Sequence, residues 1–270
     1  MSARSPEIDR GLARRRFERA ARTYEKASRL EAEVAARMLE RLDYVKLAPR
    51  RILDAGSGPP RRALGARYPG AEVVAVDFAA GMLRAGKKRL LGKNPLRLCA
   101  DLAHLPLAPE SVNLAWCNMA LHWLSDPLPA LRELARVLAP EGLLMFSTLG
   151  PDTLKELRAA AGAGRVHAFI DMHDLGDMLL AAGFSAPVMD MELLNFSYQD
   201  PNSLLADLRA SGQTSARADR PRGLAGRAFR ERLRAGLAPR ATFEVVYGHA
   251  WKGRRIEQEP KTVRVFKRMP

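Results

Sequence analysis

Long apolar runs are missing from this sequence. Nowhere do about 18 consecutive apolar residues occur, and the opening MSARSPEIDRGLARRRF is charged where an export signal needs an apolar centre. The expectation is a soluble, cytoplasmic protein with no membrane partner. Cysteine is almost missing too. Cys99 and Cys117 lie in apolar stretches that read as strands, with no CxxC spacing, which argues against a disulfide framework or a zinc knuckle. Internal repeats and low-complexity tracts are also lacking, so 270 residues point to one α/β fold with additions rather than a repeat array or two equal domains.

Acidic residues are scarce at the periphery. Residues 1–29 hold nine Lys and Arg against four acids, residues 209–240 nine against two, and residues 252–270 seven against two. The net charge of +14 therefore belongs to these outer segments and not to the middle of the chain. Two readings stay open: solvated surface helices, or a patch for an acidic partner. Nucleic acid is the weaker partner, because single-strand binding needs aromatic platforms and residues 209–240 contain one, Phe229.

Glycine is missing where a dinucleotide loop needs it. The stretch RILDAGSGPPRRALGARYPGAEVVAVD, residues 51–77, begins like a nucleotide-binding βαβ unit, but Arg61 stands at the third glycine position and Pro59-Pro60 stiffens the turn. A pyrophosphate seated on the helix N-terminus is thus poorly supported. What is present is a series of acids, Asp54, Asp77 and Asp101, at the ends of three successive strands, beside Gly56 and Gly58. Acids on the rim of the sheet suit a cofactor without phosphates that is bound through an amine, a ribose and an adenine, as S-adenosylmethionine would be.

Around this turn the elements alternate. Residues 10–43 carry one apolar stripe (Phe17, Ala20, Ala21, Tyr24, Ala27, Leu30, Val34, Met38, Leu42) on a helix or a pair of helices. Five strands follow up to Leu149, joined by helical segments, one of which is expected to run through DPLPALRELARVLAPEG and stop at Gly142. Such alternation demands a mostly parallel sheet with helices on both faces, a Rossmann-like α/β fold. Beyond Gly150, VMDMELLNFSY and ATFEVVYGHAW read as late strands able to extend the same sheet. SGQTSARADRPRGLAGR has no periodicity and reads as a long functional loop.

At the glycine turn and its acids the chain resembles the class I methyltransferases. RRRFERAARTYEKASRLEAEVA, LPLAPESVNLAWCNMALHWLSDPLPALRELARVLAPEGLLMFSTLGPDTLKELR and HAFIDMHDLGDMLLAAGFSAPVMDMELLNFSY are similar to the malonyl-acyl-carrier-protein O-methyltransferases of biotin synthesis, a likeness spanning roughly residues 14–253. The resemblance implies an N-terminal helical lid over residues 1–48, an S-adenosylmethionine-binding core over 49–150, a substrate-side part of the same domain over 151–253 and a basic tail over 254–270. It also implies Asp54, Gly56 and Gly58 at the methionine end of the cofactor, Asp77 at the ribose, and Asp101 with Leu102 at the adenine. Asn118 to His122 would wall the transferred methyl. Ser57 and Pro60 depart from the family pattern, which commonly has cysteine and glycine there.

The implied reaction is carboxyl methylation of malonyl-acyl-carrier protein or malonyl-CoA. It needs no general base, because the acceptor acid is already ionised near pH 7. Tyr24, His122 and Trp123 are the candidate acceptor-pocket residues: an aromatic on the apolar stripe reads first as core and the resemblance turns Tyr24 towards function, while Trp123 reads equally as a packed aromatic. Arg15, Arg16 and Arg222 are the candidates for holding the acceptor carboxylate, arginine being suited to bidentate recognition. HAFIDMHD offers His167, Asp171, His173 and Asp174, but the two histidines fall on different faces of a helix and an acid there caps the helix start, so no metal is expected. The competing readings are a fold-retaining assembly factor without activity, and a methyltransferase for another small acid or for RNA.

Overall fold

The structure is a computed structural model describing residues 7–60, 62–87, 94–221, 223 and 226–253. Arg222 and the basic tail over 254–270 lie outside the described residues. Three short helices open the chain: α1 (Arg10–Ala20), α2 (Tyr24–Ala27) and α3 (Arg29–Arg41). The alternation then runs β1 (Arg51–Ala55), α4 (Ala63–Arg67), β2 (Glu72–Asp77), α5 (Ala80–Ala85), β3 (Leu96–Cys99), β4 (Val112–Asn118), α6 (Leu128–Val137) and β5 (Leu138–Leu149). The second half contributes α7 (Lys155–Ala161), α8 (Met172–Ala181), β6 (Phe184–Ser197), α9 (Pro201–Ala210), α10 (Arg227–Gly236) and β7 (Arg240–Lys252).

All seven strands form one sheet in the order β3-β2-β1-β4-β5-β7-β6. The first five pair in parallel; β7 runs antiparallel to both β5 and β6. The late strands thus extend the first sheet, and the fold is the mostly parallel, Rossmann-like α/β architecture expected from the alternation. Strand order reverses between β1 and β4, which places a crevice at the carboxyl ends of these two strands.

Period-two alternation along the strands feeds two cores. Ile52, Leu114, Trp116, Leu143 and Met145 pack with α3, α4 and α9, while Leu53, Ala55, Ala115, Cys117, Leu144 and Phe146 pack with α6 and α8. The N-terminal apolar stripe is real but broken. Thr23 and Ser28 separate the helices, so Phe17, Ala20 and Ala21 join a small cluster with Ala79 and Met82 of the crevice, whereas Leu30, Val34, Met38 and Leu42 belong to the main core. One chain thereby anchors in the core and reaches over the crevice.

One boundary differs from the sequence expectation. The helix through residues 128–137 does not continue to Gly142; β5 begins at once with Leu138. Pairing jumps from Val112–Leu138 to Leu114–Leu143, and Glu141 takes φ +60°, so Ala139 to Gly142 form an extra loop within the strand. A β-bulge next to a helix end has the same Pro/Gly signature as a helix stop.

The long loop after α9 is stitched down. Asp9 N–H donates to Ala216 O (2.8 Å), Ala218 N–H to Glu7 O (2.8 Å), and Ile8 bridges Arg217. Arg217 reaches Ala163 O and Val166 O at 3.3 and 3.1 Å and pairs with Asp219. This segment is irregular because its hydrogen bonds go to its neighbours rather than to a ladder.

Met38 tests the anchoring of α3. Its side chain is fully buried between helix and sheet, and Met38→Ala is expected to cost about 2–5 kcal/mol in urea unfolding, the range for a truncated core methionine. A loss under 0.5 kcal/mol would mean that α3 contributes little to global stability.

Candidate functional site

The crevice is built by the turn between β1 and α4. Gly56 and Gly58 have φ of +69° and +58°, and a Cβ on Gly56 would lie 2.3 Å from that of Ala120, so the first turn and the end of β4 touch backbone to side chain. The second of these glycines sits under Tyr24, whose ring would be 3.5 Å from an added Cβ. Asp77 ties the turn to the next one. Its Oδ2 accepts from Gly58 N–H at 2.9 Å and its Oδ1 from Ala79 N–H at 2.8 Å. The carboxyl is 6 % exposed, and burial pushes its pKa up to about 6 against the pull of those two N–H groups.

The turn and its acids open into a cleft. Gly56, Gly58, Asp77, Asp101, Leu102, Asn118, Tyr24 and Trp123, all singled out in the sequence, line it together. Asp54 does not line it; it is buried at the end of β1. Asn118 is held by Ser147 Oγ, which donates to its Oδ1 at 2.9 Å, and donates its own Nδ2 hydrogen to Glu31 O at 3.0 Å. Asp101 accepts from Ala103 N–H at 3.0 Å and pairs with Arg10 at the start of α1, so α1 is latched to the rim of the sheet. Met119, at φ +56°, turns the chain out of β4 along the wall of the cleft.

A second cavity lies behind Trp123. It is lined by His122, His167, Phe169, Arg165, Arg209, Ser215, and by Phe229 and Leu233 of α10. Trp123 and Gln213 line both spaces. Burial holds His122 at a pKa of about 3, and burial with the nearby Arg16 and Arg217 charges holds His167 at about 4, so both imidazoles are neutral near pH 7. Nε2 of His167 accepts from Ala216 N–H at 2.7 Å, which puts its proton on Nδ1. His122 Nδ1 faces Thr148 Oγ1 at 3.5 Å.

The arginines fall differently from the sequence expectation. Arg16 donates from Nη1 to Thr214 O at 2.7 Å and to Ser215 O, so it is engaged by the loop. Arg15 is exposed on α1 and lines neither space. The arginines that do face the second cavity, Arg165 and Arg209, gave no sequence signal beyond charge; Arg165 stacks over Phe229 with 4.0 Å from its guanidinium carbon to the ring centroid. Arg10 and Gln213 were missed as well, each sitting in a segment whose partner lies about 90 or more residues away. Asp171 caps α8, accepting from His173 N–H at 2.8 Å. Among the described residues no group of three or more His, Cys, Asp or Glu could hold a metal ion.

The donor set fits a cationic, phosphate-free cofactor. Two carboxylates face the cleft, and the arginine that lines it is paired to one of them; aromatic and aliphatic walls (Phe17, Phe78, Met82, Leu102) flank the acids. Comparison with known proteins agrees. Residues 53–146 match the family model of the methyltransferase domain. The chain is 49 % identical, over 93 % of its length and 92 % of theirs, to the malonyl-[acyl-carrier protein] O-methyltransferase of Methylovorus sp. (strain MP688), and 48 % identical over 91 % of both chains to that of Gallionella capsiferriformans (strain ES-2). In fold it is similar to an S-adenosylmethionine-dependent methyltransferase of Thermotoga maritima, with a TM-score of 0.55 at 20 % identity over 89 % of this chain and 99 % of that one.

Asp77 makes the site pH-sensitive. Its folded pKa of about 6 lies above the unfolded value of about 3.9. The native state therefore binds the extra proton, and the contribution of Asp77 to stability, full below about pH 4, is lost as pH rises through about 6. Urea unfolding of wild type and Asp77→Asn from pH 4 to 8 should show wild type losing up to about 3 kcal/mol relative to the variant across that window. The slope is the readout, since asparagine carries a pH-independent mismatch to one N–H. A flat difference would place the native pKa near its unfolded value.

Proposed function

The chain belongs to the malonyl-[acyl-carrier protein] O-methyltransferases and takes its methyl group from S-adenosylmethionine, and from that premise we propose the detailed assignment of its two spaces: cofactor in the acid-lined cleft, malonyl thioester in the cavity behind Trp123, and the carrier protein on α10. The reaction is methyl esterification of the free malonyl carboxylate, an early step of biotin synthesis. The observation that carries the assignment is the shared wall at Trp123 and Gln213, which gives a donor space and an acceptor space one meeting point. A cytoplasmic location is part of the reading, supported by two free thiols and by the lack, among the described residues, of a helix long and apolar enough to cross a membrane.

In this assignment Asp77 takes the ribose hydroxyls on the lone pairs left by Gly58 and Ala79, Asp101 and Leu102 meet the adenine, and Gly56 and Gly58 let the backbone approach the methionine part. Tyr24 and Phe17 cover the cleft from the lid. S-adenosylmethionine supplies an electrophilic sulfonium methyl when bound. The protein's share is positioning and exclusion of water, because forming the ester oxygen–methyl bond from a carboxylate releases no proton. The neutral His122 and His167 suit this: they line the acceptor cavity without adding charge beside the reacting oxygen.

Docking is supported by α10. Phe229 and Leu233, four residues apart, face the second cavity, while Arg227, Arg230, Arg232 and Arg234 are exposed on the rest of the helix. An acidic carrier bound there would present its prosthetic arm at the cavity. Arg217 and Arg220 are poorer candidates, being held by carbonyl oxygens and by Asp219 and Asp9. The RNA alternative is weakened, since the single aromatic of this segment, Phe229, lies under Arg165.

Arg232→Glu with Arg234→Glu is therefore expected to lower kcat/KM for malonyl-acyl-carrier protein several-fold and to reduce its salt dependence, with malonyl-pantetheine turned over as by wild type. Initial rates from 20 to 300 mM salt decide this. Equal losses on both substrates would move these arginines into the catalytic pocket, and no loss on either would return α10 to ordinary solvated surface.

A further inference from the structure

We propose that Gln213, together with the indole N–H of Trp123, forms a neutral donor pair that orients the acceptor carboxylate at the junction of the two spaces. The proposal rests on the substrate assignment above and names the residues that read the substrate's free acid. An attacking oxygen must come within about 3–3.5 Å of the methyl it receives. The carboxylate must therefore sit where the two spaces meet, against the residues lining both, which are Trp123 and Gln213. Both carry N–H donors. Among the described residues neither the Gln213 amide nor the Trp123 indole N–H is engaged in a hydrogen bond.

The backbone of Gln213 is fixed on both sides while its side chain is not. Gly212 holds φ +77° with its N–H on Arg209 O (3.1 Å), and a Cβ there would lie 3.1 Å from Phe17 Cδ1 and 3.2 Å from Ala20 Cβ, so the loop lies directly on α1. On the other side Arg16 grips Thr214 O and Ser215 O, His167 Nε2 receives Ala216 N–H, and Asp9 N–H donates to Ala216 O. Arg16 is thus a positioning residue for Gln213. Trp123 is held by ring packing, with Phe17 at 4.8 Å and His167 at 4.9 Å between centroids.

Neutral donors suit this point better than arginine. A guanidinium paired to both oxygens occupies the lone pairs that must attack and stabilises the ground-state charge, whereas amide and indole N–H groups align the carboxylate with weaker bonds. The two cavity arginines, Arg165 and Arg209, line the acceptor space only.

The test compares malonyl-pantetheine with acetyl-pantetheine, which lacks the carboxylate, by calorimetry on full-length protein saturated with S-adenosylhomocysteine. Gln213→Leu should weaken malonyl-pantetheine at least tenfold, with acetyl-pantetheine and S-adenosylhomocysteine within twofold of wild type. Trp123→Phe, which keeps the ring packing, should shift malonyl-pantetheine alone by a smaller factor. Gln213→Leu that loses S-adenosylhomocysteine in parallel overturns the proposal in favour of a cofactor contact, and equal loss of both thioesters makes Gln213 a wall residue. If Arg165→Gln abolishes the carboxylate preference while Gln213→Leu keeps it, the arginine is the reader. A wild type indifferent to the carboxylate overturns both this proposal and the substrate assignment; a wild type that prefers it, with the preference intact in Gln213→Leu, overturns this proposal alone.

Discussion

A single buried carboxylate organises the crevice. Asp77 ends β2, and by accepting one N–H from the glycine turn and one from its own following turn it locks two loops that would otherwise splay from the sheet. Burial disfavours the charge and the two N–H groups favour it; the balance leaves the acid well above its ordinary pKa. Removing the side chain would also free two backbone donors, so no simple truncation separates its structural work from the ligand contact proposed for it. The N-terminal helices depend on the same frame, because Tyr24 rests over Gly58 and Arg10 reaches Asp101 one strand further along the rim.

What the sequence made legible follows from locality. An acid at a strand end and a glycine in the next turn are separated by few residues and governed by period-two burial, so Asp77, Asp101, Gly56 and Gly58 were readable as one rim. Asp54 belonged to the same pattern, yet it sits one residue further inside the sheet and is buried off the cleft. The helix stop at Gly142 failed for a related reason. Pro-Glu-Gly marks a break in regular structure without saying whether the break lies after a helix or within a strand, and here β5 had already begun.

The second cavity was illegible because nothing local encodes it. Its walls come from the end of β4, the α7–α8 connection, α9, the long loop and α10, and they are joined by side-chain-to-carbonyl bonds such as Arg16 to Thr214, 198 residues apart. An arginine in a basic helix has no periodicity that would distinguish a loop clamp from a substrate clamp. Gln213 left still less trace, since its placement depends on Gly212 fitting against Phe17 and Ala20.

Charge is consequently divided by depth. Arginines are concentrated on exposed surfaces such as α10, where the docking proposed for an acidic carrier would use a positive potential that salt screens. Where the two spaces meet the side chains are uncharged, an amide and an indole, and the second cavity adds two imidazoles held neutral. The division follows from the chemistry. A carboxylate nucleophile must arrive attracted by charge yet react unquenched by it, and attraction at long range with neutral alignment at short range meets both demands. The loop after α9 shows the same division: it carries the uncharged Gln213 to the wall of both spaces and is held there by bonds to its neighbours, while the basic helix that follows it stays at the surface.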